Sequence, residues 1–313
     1  MTFRRILVPV LPEQDLGPSF HQALEFANNY DASLTLLTVI EDLAELKELA
    51  NYSITTLDLL DKTTRAFYHQ LNAHTHELKK QYPKITFSTL IRIGIPFIEI
   101  IKAANENQTE LIIIDTHHHD KTTTCQWGST TRHLMRKSNI PIWSVHEKQQ
   151  SKSIERVVAA IDVTTSSSAD FNEKIISIAH EFSAICQAEL LPCHAWRLET
   201  EGYLRKWNSY TDLDIALVAK QLRQDRADRL KSLIAPYEAS GTPINIRMLE
   251  GDPKQIIPQF VKQEDIDLVV LGSLSRTGIA GLLMGNSAEY MLDALKCSVV
   301  TIKPDDFSSP VLS

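Results

Sequence analysis

The sequence lacks the features that mark membrane, disulfide-rich and nucleic-acid-binding proteins. No apolar run reaches the roughly 20 residues that a helix needs to cross a bilayer. There are only four cysteines and no C-x-x-C pair, which favours a reducing compartment over a disulfide framework. The net charge of −7 disfavours a nucleic-acid partner, because phosphates attract basic faces. We therefore expect a soluble cytoplasmic protein without a membrane span or nucleic-acid partner.

Catalytic signatures are missing as well. The sequence has neither Gly-x-x-x-x-Gly-Lys-Ser/Thr nor Gly-x-Gly-x-x-Gly, two common phosphate-binding patterns. It also has no Gly-x-Ser-x-Gly nucleophile elbow. Hydrolysis requires a placed base or metal ion, and the sequence does not indicate one. We therefore name no catalytic residue and favour a binding protein over an enzyme, although the sequence leaves enzymatic activity open.

Short apolar runs alternate with amphipathic helical patterns along the whole chain. This alternation predicts a parallel sheet with helices on both faces. The predicted fold class is α/β, with two tandem doubly wound domains of five parallel strands each. Within the second domain, Asp170 is a candidate N-cap for a helix that is predicted to run through Ala184. A long helix is predicted over residues 213–237. The predicted strands are 5–11, 33–40, 85–93, 110–115, 140–145, 156–162, 190–196, 245–249, 267–271 and 298–302.

The two halves of the chain align without gaps over a long stretch. Gly94 matches Gly251 and Gly128 matches Gly285, both at an offset of 157 positions. A constant register over so many residues indicates an internal duplication. The predicted organisation is a first domain, a polar linker, a second domain and a tail, at residues 1–147, 148–153, 154–304 and 305–313.

A glycine-rich loop follows the strand at 267–271. It runs from Gly272 to Gly285 and leads into a helix predicted from Asn286 to Leu295. In a strand–loop–helix unit of this kind, backbone N–H groups and the helix N-terminus can receive a phosphate. A flexible turn is the alternative interpretation.

The spacing within this loop carries a family resemblance. Gly272-x-x-Ser275, nine residues and then Gly285-Asn286 resemble the nucleotide loop of the universal stress protein family, which reads Gly-x-x-Gly, nine residues, Gly-Ser/Thr. Ser275 and Asn286 depart from that pattern. The stretch SRTGIAGLLMGNSAE at 275–289 and the closing VVTIKP at 299–304 resemble the tandem-domain type of the family. Because both halves carry the pattern, the resemblance covers nearly the whole chain. The resemblance implies the universal stress protein fold, which is like that of the adenine nucleotide alpha hydrolases.

The resemblance also implies a ligand site in the second half, at the carboxyl ends of the strands. In the family, the acid at the position of Asp162 lies against the nucleoside of ATP, so ATP or a related nucleotide is the implied ligand. A strand-end aspartate more commonly caps the loop that follows it, and both roles stay open. The candidate binding residues are Ala160, Ile161, Asp162, Ala195, Leu271, Gly272, Ser275, Gly285, Asn286 and Ser287.

The first half has lost most of the family pattern. Leu11 stands where the second half has Asp162, and Asp115 and His118 replace loop glycines. A carboxylate at Asp115 would repel phosphates at close range. Only Gly128 and Ser129 keep the family's Gly-Ser pair. We expect the first half not to bind ATP in the usual manner.

The loop of the first half is rich in residue types that ligate metals. Adjacent histidines on an extended chain point in opposite directions, and no tetrahedral ligand spacing is present. We therefore expect a surface loop and no tight metal site. The residues concerned are His117, His118, His119, Asp120 and Cys125.

The resemblance implies a stress-response protein that binds a nucleotide-like small molecule and is regulatory rather than catalytic. One alternative is a slow ATPase at the second-half site. Another is a carrier of a larger, partly apolar ligand that bears an acyl chain. In the family, the last strands of two domains pair, so residues 140–145 and 298–302 would pair here as an intramolecular pseudo-dimer. A homodimer of the whole chain stays open.

Overall fold

The structure, a computed structural model, describes most of the chain as alternating strands and helices. It describes residues 3–10, 17–41, 43–49, 54–116, 127–147, 152–165, 168–206, 210–273 and 286–312. The strands are β1 (Arg5–Pro9), β2 (Ser33–Ile40), β3 (Thr86–Ile93), β4 (Leu111–Asp115), β5 (Ile142–Val145), β6 (Arg156–Ala160), β7 (Glu189–Trp196), β8 (Arg247–Glu250), β9 (Leu268–Gly272) and β10 (Ser298–Ile302). The helices are α1 (Pro18–Tyr30), α2 (Ala44–Leu49), α3 (Ile54–Gln81), α4 (Pro96–Glu106), α5 (Ser129–Lys137), α6 (Ala169–Cys186), α7 (Glu201–Lys206), α8 (Asp212–Ile234), α9 (Pro253–Gln263) and α10 (Asn286–Ala294).

The chain forms two compact units. The first contains the described residues up to Ser153 together with β10 and the residues that follow it. Its strands lie in the order β3-β2-β1-β4-β5-β10. The strands β1 to β5 are parallel, and β10 runs antiparallel to β5, with Val299 opposite Ser144 and Thr301 opposite Ile142. The predicted pairing of the last strands of the two halves is thus confirmed.

The second unit contains residues 154–273 and α10. Its strands lie in the order β9-β6-β7-β8, and all are parallel. The strand β6 is central, with β9 on one side and β7 on the other. Its residues 157–159 are fully buried, as expected for a parallel strand covered by helices on both faces.

Matching backbone conformations show the duplication directly. Gly94 has a φ of +148° and Gly251 a φ of +143°, values that glycine adopts without the steric cost other residues meet. After α4 and α9, Gln108 and Asp265 have φ values of 49° and 48°. Together with the alternating elements, these paired features confirm the predicted fold class: α/β, mostly parallel, in two tandem domains.

Both halves also fasten the start of their first strand in the same way. The backbone N–H groups of Arg4 and Arg5 donate to Glu110 Oε2 over 2.7 and 3.0 Å. In the second half, the N–H groups of residues 155 and 156 donate to Asp267 Oδ2 over 2.9 and 3.1 Å. A carboxylate that accepts backbone N–H groups forms strong, charge-assisted hydrogen bonds. Each such pair holds the fourth strand of its half beside the first.

Two local predictions require correction. Asp170 is not an N-cap, because α6 begins at Ala169 and its N-cap is Ser168. Asp170 lies in the first turn, where its carboxylate interacts favourably with the positive end of the helix dipole. The long helix ends at Ile234 and continues as a 3-10 helix over Ala235–Ser240, because the proline that follows Ala235 lacks the N–H of an α-helical turn. None of the helices in the described ranges is long and apolar enough to cross a membrane.

Candidate functional site

The carboxyl ends of β9, β6 and β7 lie side by side in the second unit. Ala160 is paired with Leu271 on one side and with Cys193 on the other. The ladder continues beyond β6, where the Ile161 N–H donates to Cys193 O over 2.9 Å. Ala195 lies two residues beyond Cys193 on β7. The sheet therefore gathers these predicted binding residues at one edge, where ligands of open α/β sheets bind.

Gly272, the first glycine of the predicted nucleotide loop, is in close contact with an aromatic ring. A Cβ added to Gly272 would lie 2.5 Å from Phe171 Cε1 and 3.3 Å from Ile175 Cδ1. Real Cβ atoms do not approach other atoms so closely, so any larger residue at position 272 would displace the ring. Packing against α6 is thus a sufficient reason for glycine here, independent of a phosphate.

Asp162 follows β6, and its side chain is exposed. Its Oδ1 accepts a hydrogen bond from the Thr164 backbone N–H over 3.0 Å and a second from the Thr164 hydroxyl. This is the loop-capping role that strand-end aspartates commonly have. The exposed carboxylate also lies at the sheet edge that holds the other candidate residues, so capping and ligand contact are compatible.

Two side chains hold the backbone carbonyls at the start of this loop. His194 Nδ1 lies 3.0 Å from Ile161 O, and because a carbonyl oxygen only accepts, Nδ1 carries the proton. Asn172 Nδ2 on α6 donates to Asp162 O over 2.8 Å. Both side chains are buried.

A third side chain holds the next two carbonyls. Arg226 Nη1 on α8 donates to Val163 O over 3.1 Å and to Thr164 O over 2.7 Å. Its side chain is only 15% exposed. The sequence analysis did not identify this arginine or the two buried side chains that bind the preceding carbonyls. No local pattern marks them, because each acts from a different element and only the fold brings them to the loop.

The adjacent Cys193 and His194 do not form a reactive pair. Burial raises the pKa of the Cys193 thiol to about 12, so the nucleophilic thiolate is absent at neutral pH. Burial also lowers the pKa of His194, as does the nearby charge of Arg226, while the hydrogen bond to Ile161 raises it. These side chains serve the interior of the second unit rather than covalent chemistry.

The remaining predicted residues lie in or beside the glycine-rich loop. Ser275 and Gly285 lie outside the described residues. Asn286 and Ser287 begin α10, which follows that loop, and the structure describes only their backbone. The helix N-terminus that the sequence predicts after the loop is therefore present, and backbone N–H groups at such a terminus can receive an anion.

In the first half, a carboxylate reaches the start of α1. Asp115, at the position that corresponds to Gly272, accepts a hydrogen bond at Oδ1 from the Ser19 backbone N–H over 2.7 Å. The carboxylate lies against Gly17, where an added Cβ would collide with it. Asp115 thus brings a negative charge of the protein itself to the carboxyl end of β4.

The other end of the first-half loop keeps its helix start. Gly128 is the N-cap of α5, and Ser129 is the first residue of that helix. The Gly128 N–H donates to Thr116 O over 2.8 Å. Leu11 and His118 lie outside the described residues, as do His117, His119, Asp120 and Cys125. In the described part of the chain, no group of three or more His, Cys, Asp or Glu side chains is placed to hold a metal ion.

Comparison with known proteins agrees with this architecture. The model of the universal stress protein family matches residues 2–146 and again residues 153–303. The chain is 26% identical over 326 residues to universal stress protein E of Escherichia coli K12, an alignment that covers 99% of this chain and 96% of that protein. The tandem-domain type inferred from the resemblance is confirmed.

Solved structures share the fold across nearly the whole chain. A putative universal stress protein from Pseudomonas aeruginosa superimposes with a TM-score of 0.69 at 20% identity, covering 97% of this chain and 94% of its own. A universal stress protein from Archaeoglobus fulgidus gives a TM-score of 0.59 at 15% identity, covering 97% and 99%. At these identities the likeness concerns the fold alone.

Proposed function

The chain belongs to the universal stress protein family, and on that premise we propose that it is a cytoplasmic stress-response protein that binds a nucleotide-like small molecule. The ligand is ATP or a related nucleotide, and the site lies in the second half. The role is regulatory rather than catalytic. The proposed domains are residues 1–147 and 154–304, joined by the linker 148–153 and followed by the tail 305–313.

The observation that carries the proposal is the difference between the two fourth strands. In the first half, Asp115 brings a carboxylate to the start of α1. In the second half, Gly272 stands at the corresponding place and carries no side chain. A phosphate near Asp115 would meet a like charge at short range, whereas Gly272 presents none. This contrast favours the second half for an anionic ligand.

In the proposed arrangement, the two ends of the ligand meet different parts of the site. The nucleoside lies near Asp162 and Ala195, at the ends of β6 and β7. The phosphates lie at the glycine-rich loop, with Ser275, Gly285, Asn286 and Ser287. The backbone N–H groups at the start of α10 and the amide of Asn286 supply the hydrogen-bond donors.

Equilibrium titration of the purified protein with ATP, ADP and AMP tests the proposal, together with mass spectrometry of any small molecule that copurifies. Saturable binding of one nucleotide per chain would support it. Release of phosphate from ATP at a rate that falls in Asp162→Asn would instead favour the slow ATPase. Copurification of an acyl-bearing molecule without nucleotide binding would contradict the proposal and favour the carrier of a partly apolar ligand.

A further inference from the structure

The loop after β6 is held by three side chains from three different elements. The carbonyl of Ile161 is bound from β7, that of Asp162 from α6, and those of Val163 and Thr164 from α8. Four consecutive carbonyl oxygens thus have side-chain donors. Ile161 and Val163 are buried, whereas Asp162 and Thr164 are exposed. Buried carbonyls normally have partners, but here side-chain donors also hold the two exposed residues of the loop.

Arg226 makes the largest contribution to this arrangement. One guanidinium nitrogen bridges two carbonyls, at 3.1 and 2.7 Å, and the side chain is mostly buried. Among the described residues its one ion pair is with the half-exposed Asp225, at 3.5 Å, a surface contact of small energetic value. The arginine therefore serves the loop rather than a salt bridge.

The clamped segment fixes the candidate ligand-binding carboxylate. Thr164, whose carbonyl Arg226 binds, donates both its N–H and its hydroxyl to Asp162 Oδ1. The guanidinium thus holds Thr164, and Thr164 holds the Asp162 carboxylate. We infer that Arg226 is a positioning residue that presents Asp162 to the nucleoside end of the ligand. This inference rests on the proposed function for the ligand contact but not for the order of the loop.

The first half uses a comparable contact at the corresponding strand end. Thr38 on β2 donates its hydroxyl to the Val10 carbonyl over 3.0 Å. At the corresponding place in the second half, His194 on β7 binds the carbonyl of Ile161, which directly follows β6. Fastening the end of the first strand is thus common to both halves. The contact from α8 extends that fastening to the residues that follow Asp162.

Hydrogen–deuterium exchange tests the order of the loop without any ligand. In Arg226→Met, peptides that contain residues 161–165 should exchange at least about tenfold faster, because the two carbonyls lose their donor and the Thr164 N–H loses its fixed acceptor. Arg229→Met is the matched control, since Arg229 lies on the same helix and is 46% exposed. Unchanged exchange in Arg226→Met, or equal acceleration in both variants, would overturn the inference.

Binding measurements test whether positioning acts through Asp162. Arg226→Met should weaken ATP binding about tenfold while leaving the affinity for inorganic tripolyphosphate, which has no nucleoside, within twofold. In an Asp162→Ala background, which removes the acceptor that Thr164 binds, Arg226→Met should cause no further loss of ATP affinity. In the chain that keeps Asp162, Arg226→Lys should lose less ATP affinity than Arg226→Met. Equal losses for ATP and tripolyphosphate, or an undiminished loss in the Asp162→Ala background, would contradict positioning.

These two experiments separate the inference from the proposed function. If the unmodified protein binds no nucleotide, the proposed ligand is wrong, and the exchange experiment alone decides whether Arg226 orders the loop. If the protein binds ATP and both Arg226→Met readouts stay unchanged, the proposed function stands and the positioning role is refuted.

Discussion

The carboxylate of Asp115 accepts a hydrogen bond from the Ser19 backbone N–H, with 2.7 Å between Oδ1 and N. This contact joins the carboxyl end of β4 to the first turn of α1. Like an N-cap side chain, it satisfies a backbone donor that has no partner within the helix. It also explains why the residue that corresponds to the first loop glycine can be acidic in this half: the aspartate stabilises its own domain.

Replacement of Asp115 tests that stabilising role. Asp115→Ala should lower the free energy of unfolding by about 1 kcal/mol, the usual cost of losing a helix cap. Asp115→Asn keeps an oxygen acceptor, so its free energy of unfolding should fall by less than that of Asp115→Ala. Glu25→Ala, an exposed change on α1, is the control and should shift the free energy of unfolding by less than about 0.5 kcal/mol. Urea denaturation measures all three, and equal stability of Asp115→Ala and the parent would refute the role.

The contact of Gly272 with Phe171 predicts a coupled pair. Gly272→Ala should destabilise the protein by about 1–3 kcal/mol, because the added Cβ would displace the ring. In a Phe171→Leu background the same change should cost clearly less, so the two effects will not add. A double-mutant cycle of unfolding free energies measures the coupling. Additive effects would show that the ring does not restrict position 272.

The sequence predicts the fold well because its signals are local or repeated. Short apolar runs predict where the strands lie. The match of Gly94 with Gly251 indicates the duplication, and both glycines have the positive φ that glycine adopts readily. The N-cap of α6 was predicted wrongly because Asp170 is equally suited to the first turn, where Ser168 precedes it as the cap.

The candidate site was less accessible to sequence reasoning. Arg226 binds carbonyls 62 and 63 residues earlier in the chain, and no periodicity records such a contact. Similarly, the sequence alone offers a phosphate as the reason for Gly272, whereas the structure adds the ring of Phe171. The family resemblance supplied candidate positions for the site, but not the side chains that hold the loop after β6.

The burial of Lys303, which directly follows β10, predicts that the stability of the protein changes with pH. Its side chain is 3% exposed, and Nζ lies 5.0 Å from the centre of the Phe307 ring. Within the described residues Nζ has no hydrogen-bond partner. Burial lowers its pKa from 10.5 to about 8. Because the unfolded chain binds this proton more tightly, the contribution of Lys303 to the free energy of unfolding should rise between pH 8 and pH 10.5.

Lys303→Met should remove that rise. At pH 7 the variant should be more stable than the parent by at most roughly 3 kcal/mol, since a buried charge without a partner is costly. The gain should shrink as the pH approaches 10.5. Lys296→Met, an exposed change, serves as the control. Urea midpoints across this range that never separate the Lys303 variant from the parent would contradict the prediction.

Asymmetric binding is the central claim, and calorimetric titration of matched glycine variants with ATP tests it most directly. Gly285→Val should abolish binding, because a side chain there would fill the space that the phosphates need in the family's loop. Gly128→Val should leave the dissociation constant within about twofold, since the φ of −61° and ψ of 153° at Gly128 are open to valine. We predict binding by the parent and Gly128→Val and none by Gly285→Val; equal loss in both variants, or loss in Gly128→Val alone, would contradict the claim.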